Sequence, residues 1–238
     1  FIDIWSYWIN TFGIDGLRID TFRHVDEAFW KKVVPAVQQS AKDAGKKSFP
    51  IFGEIYDSSP QNLSTFMTSG QTPSVLDFAF NEQLTRFIAN FGMADRLSQL
   101  FNADDLYTTS TTSAYGLATF LGNHDMGRIG SPILANTSDK ESAVKRANLA
   151  QASLLLLRGG PVLYYGDEKG MTGAGGDKLA RQDMFPTQVE RWKWEQRIGS
   201  EPIGQASSFD GTHPIQSEIT KLQQIIKKNP ALRNGTQQ

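Results

Sequence analysis

The sequence predicts an α/β fold, a parallel sheet or barrel of alternating strands and helices, and three observations predict it. Strand-like apolar runs and helix-period segments alternate five times without a long antiparallel stretch, the pattern of right-handed parallel crossovers. The strand-like runs are nearly continuous in apolar residues, as strands buried on both faces are. Three of them end in an acid: Gly-Leu-Arg-Ile-Asp at Asp20, Ile-Phe-Gly-Glu at Glu54 and Thr-Phe-Leu-Gly-Asn-His-Asp at Asp125. In barrels of this kind the reactive groups sit where the strands end.

In chain order, residues 1–11 read as the tail of a helix and 14–20 as a strand. Phe29, Val33, Val37, Ala41 and Ala44 recur at helical spacing up to Gly45, with Pro35 either a kink or the first turn of the main helix. Residues 49–53 are strand-like, 60–68 a short helix, 74–78 a short strand, and 80–101 mostly helix with Gly92 a break. The pattern then repeats, with a strand over 117–122, a helix over 140–157, a strand over 161–165, and a helix over 214–228 carrying Ile215, Ile219, Leu222 and Ile226 on one face. A long loop from Gly166 to about Thr212, rich in glycine and charge, has the length that compact domains reserve for function.

Composition narrows the chemistry. The chain of 238 residues has 24 Lys plus Arg against 25 Asp plus Glu, so it offers no general attraction to nucleic acid or an acidic membrane. The absence of cysteine removes disulfides, zinc-thiolate sites and thiol nucleophiles. The longest purely apolar cluster, 154–157, is far short of the roughly 18 residues of a membrane span. The chain opens at Phe1 without Met or a basic leader, and is expected to begin inside a longer polypeptide.

Retaining hydrolysis of an acetal needs one carboxylate to attack the anomeric carbon and one carboxylic acid to protonate the leaving oxygen, roughly 5 to 5.5 Å apart. Asp20 and Glu54 close successive strands separated by one helix, so in a parallel barrel they are neighbours on one rim. Arg18 lies two residues before Asp20, on the same strand face, where a guanidinium would keep the carboxylate ionised and oriented. Glu54 would need a raised pKa to serve as acid. Asp125 could hydrogen-bond sugar hydroxyls as the ring flattens, or act with His124 as a capping Asp and a loop histidine. His24 reads equally as a sugar-binding group or a partly buried structural histidine. The run Gly-Ala-Gly-Gly-Asp-Lys after Gly166 lacks the ending and helix start of a phosphate loop.

Residues 13–24, Gly-Ile-Asp-Gly-Leu-Arg-Ile-Asp-Thr-Phe-Arg-His, resemble the nucleophile motif of the α-amylase family of glycoside hydrolases. Phe-Gly-Glu-Ile-Tyr-Asp at 52–57 is similar to the acid/base motif, Phe-Leu-Gly-Asn-His-Asp at 120–125 to the third carboxylate motif, and Gly-Pro-Val-Leu-Tyr-Tyr-Gly-Asp-Glu at 160–168 to the eighth-strand motif. Asn-Pro-Ala-Leu-Arg at 229–233 is similar to the end of the last barrel helix. The resemblance implies a (β/α)8 TIM barrel of which residues 1–238 are strands 4 to 8. Strands 1 to 3, the excursion domain and a C-terminal β domain would lie outside the chain. It implies Asp20 as nucleophile, Glu54 as general acid/base, Asp125 as transition-state stabiliser, Arg18 as orienter, and His124 as a ligand of sugar hydroxyls. Arg23 and His24 fall where members commonly carry Lys-His on the leaving-group side. The loop after Gly166 would border the cleft, with Arg181, Trp192 and Trp194 helping to shape it, although core packing is the commoner use of either tryptophan.

The implied substrate is an α-glucan or maltooligosaccharide cut at internal α-1,4 bonds. A glucanotransferase, an oligo-α-glucosidase, a maltogenic enzyme and a non-catalytic binding relative are the alternatives. Structural calcium is implied, with the backbone carbonyl of His24 as one ligand and most others outside the chain. A five-strand piece would expose two parallel edges, so the missing half of the barrel or a partner chain is expected to be needed, and the chain alone is expected to be inactive. A starch-degrading bacterial enzyme of this kind would be secreted or periplasmic.

Overall fold

The computed structural model describes residues 1–176, 178–204 and 207–235. By contact they form two compact units, residues 1–79 with 100–118, and 80–99 with the described residues from 119 onward.

The first unit begins with α1 (Ile2–Phe12), closed by Gly13 at φ 66°, and continues through β1 (Leu17–Ile19), α2 (Glu27–Asp43), β2 (Ile51–Gly53), α3 (Pro60–Thr68) and β3 (Ser74–Val75). Asp26 caps α2 by accepting from the Ala28 N–H at 2.8 Å. Pro35 therefore lies inside that helix rather than opening it. The strands pair in parallel in the order β1-β2-β3, with Ile19 opposite Gly53 and Gly53 opposite Val75, and Leu76 bridges in parallel to Ala118. Val33, Val37 and Ala41 on one face of α2 are buried with Ile19 and Ile51. The Phe22 and Trp30 rings stack at 4.1 Å, while Trp30 Nε1 donates to Phe22 O.

The chain then forms α4 (Phe78–Ala89), α5 (Asp95–Asn102), β4 (Ala118–Phe120), α6 (Gly130–Ala135), α7 (Lys140–Leu156), β5 (Gly160–Val162), α8 (Glu190–Lys193), α9 (Pro214–Lys228) and α10 (Ala231–Asn234). Gly92 does interrupt the helical stretch, between α4 and α5. In the second unit α7 packs on α9; Ala143, Ala147 and Ala150 of the one and Ile215, Ile219 and Leu222 of the other are buried. Asp139 caps α7 and His213 caps α9, which opens with Pro214.

Two expectations need correction. In place of five strands of five to seven residues, the described residues hold a three-stranded and a two-stranded sheet of two- or three-residue strands. The acidic ends leave the ladder through turns; after β1 the backbone enters a 3-10 turn at Phe22–His24, with Thr21 at φ 47°. Second, β5 is exposed along its length rather than buried. Pro161 has no N–H to give a neighbouring strand, which suits an edge. The loop after Gly166 is also less open than its composition suggests, containing a 3-10 turn (Asp167–Lys169), α8, and buried Thr172, Gln182 and Thr187. The short helix α6 went unassigned because six residues give no readable period. Among the described residues no helix is long and apolar enough to cross a membrane.

Candidate active site

The carboxylates of the first unit stand at the carboxyl ends of adjacent parallel strands. The ladder runs one step beyond β2: Glu54 N–H donates to Ile19 O at 2.8 Å and Phe22 N–H donates back to Glu54 O at 3.0 Å. This clamp fixes Glu54 beside the Asp20 turn. Gly53 makes it possible, because a Cβ there would stand 2.6 Å from the Phe22 ring.

Arg18 reaches both acids. Its Nη1 pairs with Asp20 Oδ1, and its Nη2 donates to Glu54 Oε1 at 2.6 Å. The second oxygen of Glu54 accepts the Thr21 N–H at 3.2 Å. The side chain of Asp20 is 68% exposed and that of Glu54 only 12%, so one acid meets solvent while its neighbour is sheltered. Arg18 and Asp20 also line a cavity of about 410 Å³ walled by Trp5, Phe29 and Trp30. The sequence placed Arg18 on Asp20; its grip on Glu54 is additional.

Arg23 and His24 lie on the 3-10 turn and both are exposed. Arg23 donates to Tyr56 O at 3.5 Å rather than to either acid. Exposure removes the reading of His24 as a partly buried structural histidine.

In the second unit, Asn123 shapes the loop that carries His124 and Asp125. Its Oδ1 accepts the N–H groups of Asp125 and Met126 at 2.9 and 2.7 Å, and its backbone pairs with Gly127 in both directions. Asp125 Oδ2 is 3.2 Å from His124 Nε2, and Oδ1 accepts from Arg181 Nη2 at 3.1 Å. A strap at 173–176 lies against this loop, with Gly176 N–H donating to Asp125 O at 2.9 Å. Gly127, at φ 96°, would put a Cβ 2.5 Å from Gly175 N. The glycine-rich run thus serves as a close-packed backbone strap; its Asp177 lies outside the described residues.

Arg128 escaped the sequence reading altogether. Its side chain is fully buried and its Nη1 is 3.1 Å from Asp167 Oδ1. Burial pushes the Asp167 carboxyl up to about 7, although Arg128 pulls it down. An Arg three residues after an Asp on a loop gives no periodic signal, and only the pairing with residue 167 shows its place. Trp194 is exposed with Nε1 on Glu190, whereas Trp192 is partly buried.

Calcium takes six to eight oxygens, and among the described residues there is no group of three or more His, Cys, Asp or Glu side chains able to hold a metal.

Paired acids stand at neighbouring strand ends of an α/β chain, and comparison with known proteins names the family. The alpha amylase catalytic domain model matches residues 1–233, and the chain belongs to the α-amylase family. It is 39% identical over 236 residues to an alpha-amylase of Streptomyces lividans, covering 98% of the chain and 26% of that protein. It is 27% identical to a cyclomaltodextrin glucanotransferase of Klebsiella oxytoca, covering 97% of the chain and 36% of the relative. The chain therefore spans about a quarter to a third of these relatives' length. An Anoxybacillus alpha-amylase structure superposes with TM-score 0.74 at 24% identity, covering 98% of this chain and 44% of its own. The cyclic α-maltosyl-(1→6)-maltose hydrolase of Arthrobacter globiformis superposes at 0.73 and 24%, covering 99% and 45%. These likenesses give the chain the TIM-barrel fold of the α-amylases.

Proposed function

We propose that the chain carries the catalytic acids of a retaining glycoside hydrolase that cuts internal α-1,4 bonds of starch-like glucans, and that β1 to β5 are strands 4 to 8 of its barrel. The observation that supports this most is the Arg18 guanidinium shared by Asp20 and Glu54. Two carboxyls on one guanidinium are near neighbours, as double displacement requires of acids that must lie roughly 5 to 5.5 Å apart.

In this reading the Asp20 carboxylate attacks the anomeric carbon while Glu54 gives its proton to the departing glycosidic oxygen, leaving a glycosyl ester on Asp20. Water then attacks the same carbon, Glu54 takes its proton, and Asp20 is released. Arg18 holds the nucleophile in line, and the Thr21 N–H fixes the plane of Glu54. Asp125 and His124 bind sugar hydroxyls, with contacts that strengthen as the ring flattens; Arg23 and His24 face the leaving group. The test is a pair of variants. Asp20→Asn is expected to stop turnover on every substrate, whereas Glu54→Gln is expected to spare ester formation from α-maltosyl fluoride, whose leaving group needs no proton, giving a burst of fluoride followed by slow turnover because the base of the second step is lost. Loss of that burst to the same extent as glucan cleavage would contradict the acid role.

The glucanotransferase relative supports a second reading, in which a sugar hydroxyl replaces water at the second step. Cyclic or lengthened products from starch would select it; linear shortened products would select hydrolysis.

A further inference from the structure

Arg181, which meets Asp125, sits between two residues that are each 1% exposed or less, Ala180 and Gln182. Whatever fixes both neighbours fixes the direction in which Arg181 leaves the backbone, and both are fixed. Ala180 O accepts from Tyr164 Oη at 2.7 Å and from Arg128 Nη2 at 3.3 Å. Gln182 O accepts from Tyr165 Oη at 3.0 Å, and Gln182 Oε1 from Arg128 Nε at 3.1 Å. Gln182 Nε2 donates to Thr172 O and, at 2.7 Å, to Glu195 Oε2.

Arg128 is anchored in turn. Its Nη1 meets Tyr165 O and Asp167 Oδ1, and its guanidinium carbon lies 4.4 and 4.8 Å from the Tyr164 and Tyr165 ring centroids. A pair that served only to neutralise Asp167 would need a point charge. The planar fork goes further, spending Nε and Nη2 on the two residues that flank Arg181. From that segment Arg181 places Nη2 on Asp125 Oδ1 at 3.1 Å and Nε on His124 O at 3.4 Å.

We propose that Arg128 is a positioning residue: with Tyr164 and Tyr165 it holds residues 180–182 so that Arg181 orients the Asp125 carboxylate for substrate. The inference rests on the role proposed above for Asp125. Arg128 touches no reacting atom and acts only through Arg181.

The test is a set of double-mutant cycles in the full-length protein, with kcat and KM read on a chromogenic maltooligosaccharide whose terminal sugar is blocked, and Tm read in parallel. Arg128→Lys keeps a charge opposite Asp167 but cannot serve both flanking residues. The double variant Tyr164→Phe/Tyr165→Phe keeps the buried pair and both rings but removes the two hydroxyl donors. Each is expected to lower kcat by between about tenfold and a hundredfold, the range of an ångström-scale misplacement. In an Arg181→Met background neither is expected to lower it further, because no guanidinium remains to be positioned. Losses that persist undiminished in that background, or a fall in Tm with kcat unchanged, would overturn the proposal. If Arg128→Lys does not fold, the tyrosine variant carries the cycle alone. Asp125→Asn separates the two levels: wild-type turnover in that variant would remove the role of Asp125 itself, whereas abolished turnover with undiminished cycles would remove only the positioning role.

Discussion

The two acidic regions of this chain are organised by opposite means. In the first unit, Asp20 and Glu54 share one guanidinium, and that Arg18 stands two residues from Asp20 on the same strand. In the second, Asp125 takes its guanidinium from Arg181, 56 residues away, on a segment held by the buried Arg128. A strand supplies register for nothing more than residue spacing. A loop must be given its register by other side chains, and Arg128, Tyr164, Tyr165 and Gln182 are what that takes here. The first region should therefore fail through its own residues and the second through residues that never meet substrate.

The largest effect expected is at Asp20. Asp20→Asn should lower kcat by about 10⁴ or more on maltooligosaccharides with little change in Tm, since removing a nucleophile abolishes the ester route while leaving the side-chain shape. Steady-state rates with a folding control check this. Arg18→Met comes next, at about 10² to 10³ in kcat, because one change removes the donor to two acids. Arg181→Met should cost less, about 10 to 10², as it leaves His124 beside Asp125. If Arg181→Met proved the more damaging, the ranking of the two regions would be reversed.

These expectations differ in how far the sequence could have led to them. Arg18, Asp20 and Glu54 were legible because strand period and strand ends are local signals, and the register of Ile19 with Gly53 carried them together. The helices at 60–68 and 214–228 were legible from Pro-led starts and, in α9, an apolar stripe. The Arg128 network was not, because its hydrogen bonds cross 37 to 54 residues of sequence. Nor was the exposure of β5, since the apolar run Val162 to Leu163 reads as buried until its neighbours are known. The long loop read as glycine-rich and charged, and composition alone gave no hint that residues 173–176 would close on the Asp125 loop.

Smaller effects sharpen the contrast. Gly127→Ala would force a Cβ into the strap and strain a φ of 96°. It should lower stability by about 2 kcal/mol or more, or roughly 2 to 4 °C in Tm per kcal/mol, and reduce kcat through Asp125 while leaving the Arg18 cluster intact. Circular dichroism melts together with kcat check both effects.

The smallest effect is a pH dependence. Burial and the neighbouring Arg197 and Lys169 charges push His213 down to about 4. The unfolded chain takes up this proton near pH 6.5 and the folded chain does not until about 4. The contribution is thus fully present above 6.5, is lost as pH falls to 4, and is at most about 3 kcal/mol at 1.36 kcal/mol per unit. His213→Asn, which can still cap α9, should retain stability across that window relative to the wild type, as read by denaturant melts from pH 7 to 4. Parallel curves for the two proteins would remove His213 from the account.

The most direct test of the central claim is to trap the covalent intermediate. With Glu54→Gln and a 5-fluoro-α-glucosyl fluoride, the ester should form and then persist, because the base for its hydrolysis is gone. Peptide mass spectrometry should find the sugar on Asp20. An adduct on any other residue, or release of product with inverted anomeric configuration, would contradict the assignment of Asp20 and Glu54 as nucleophile and acid/base.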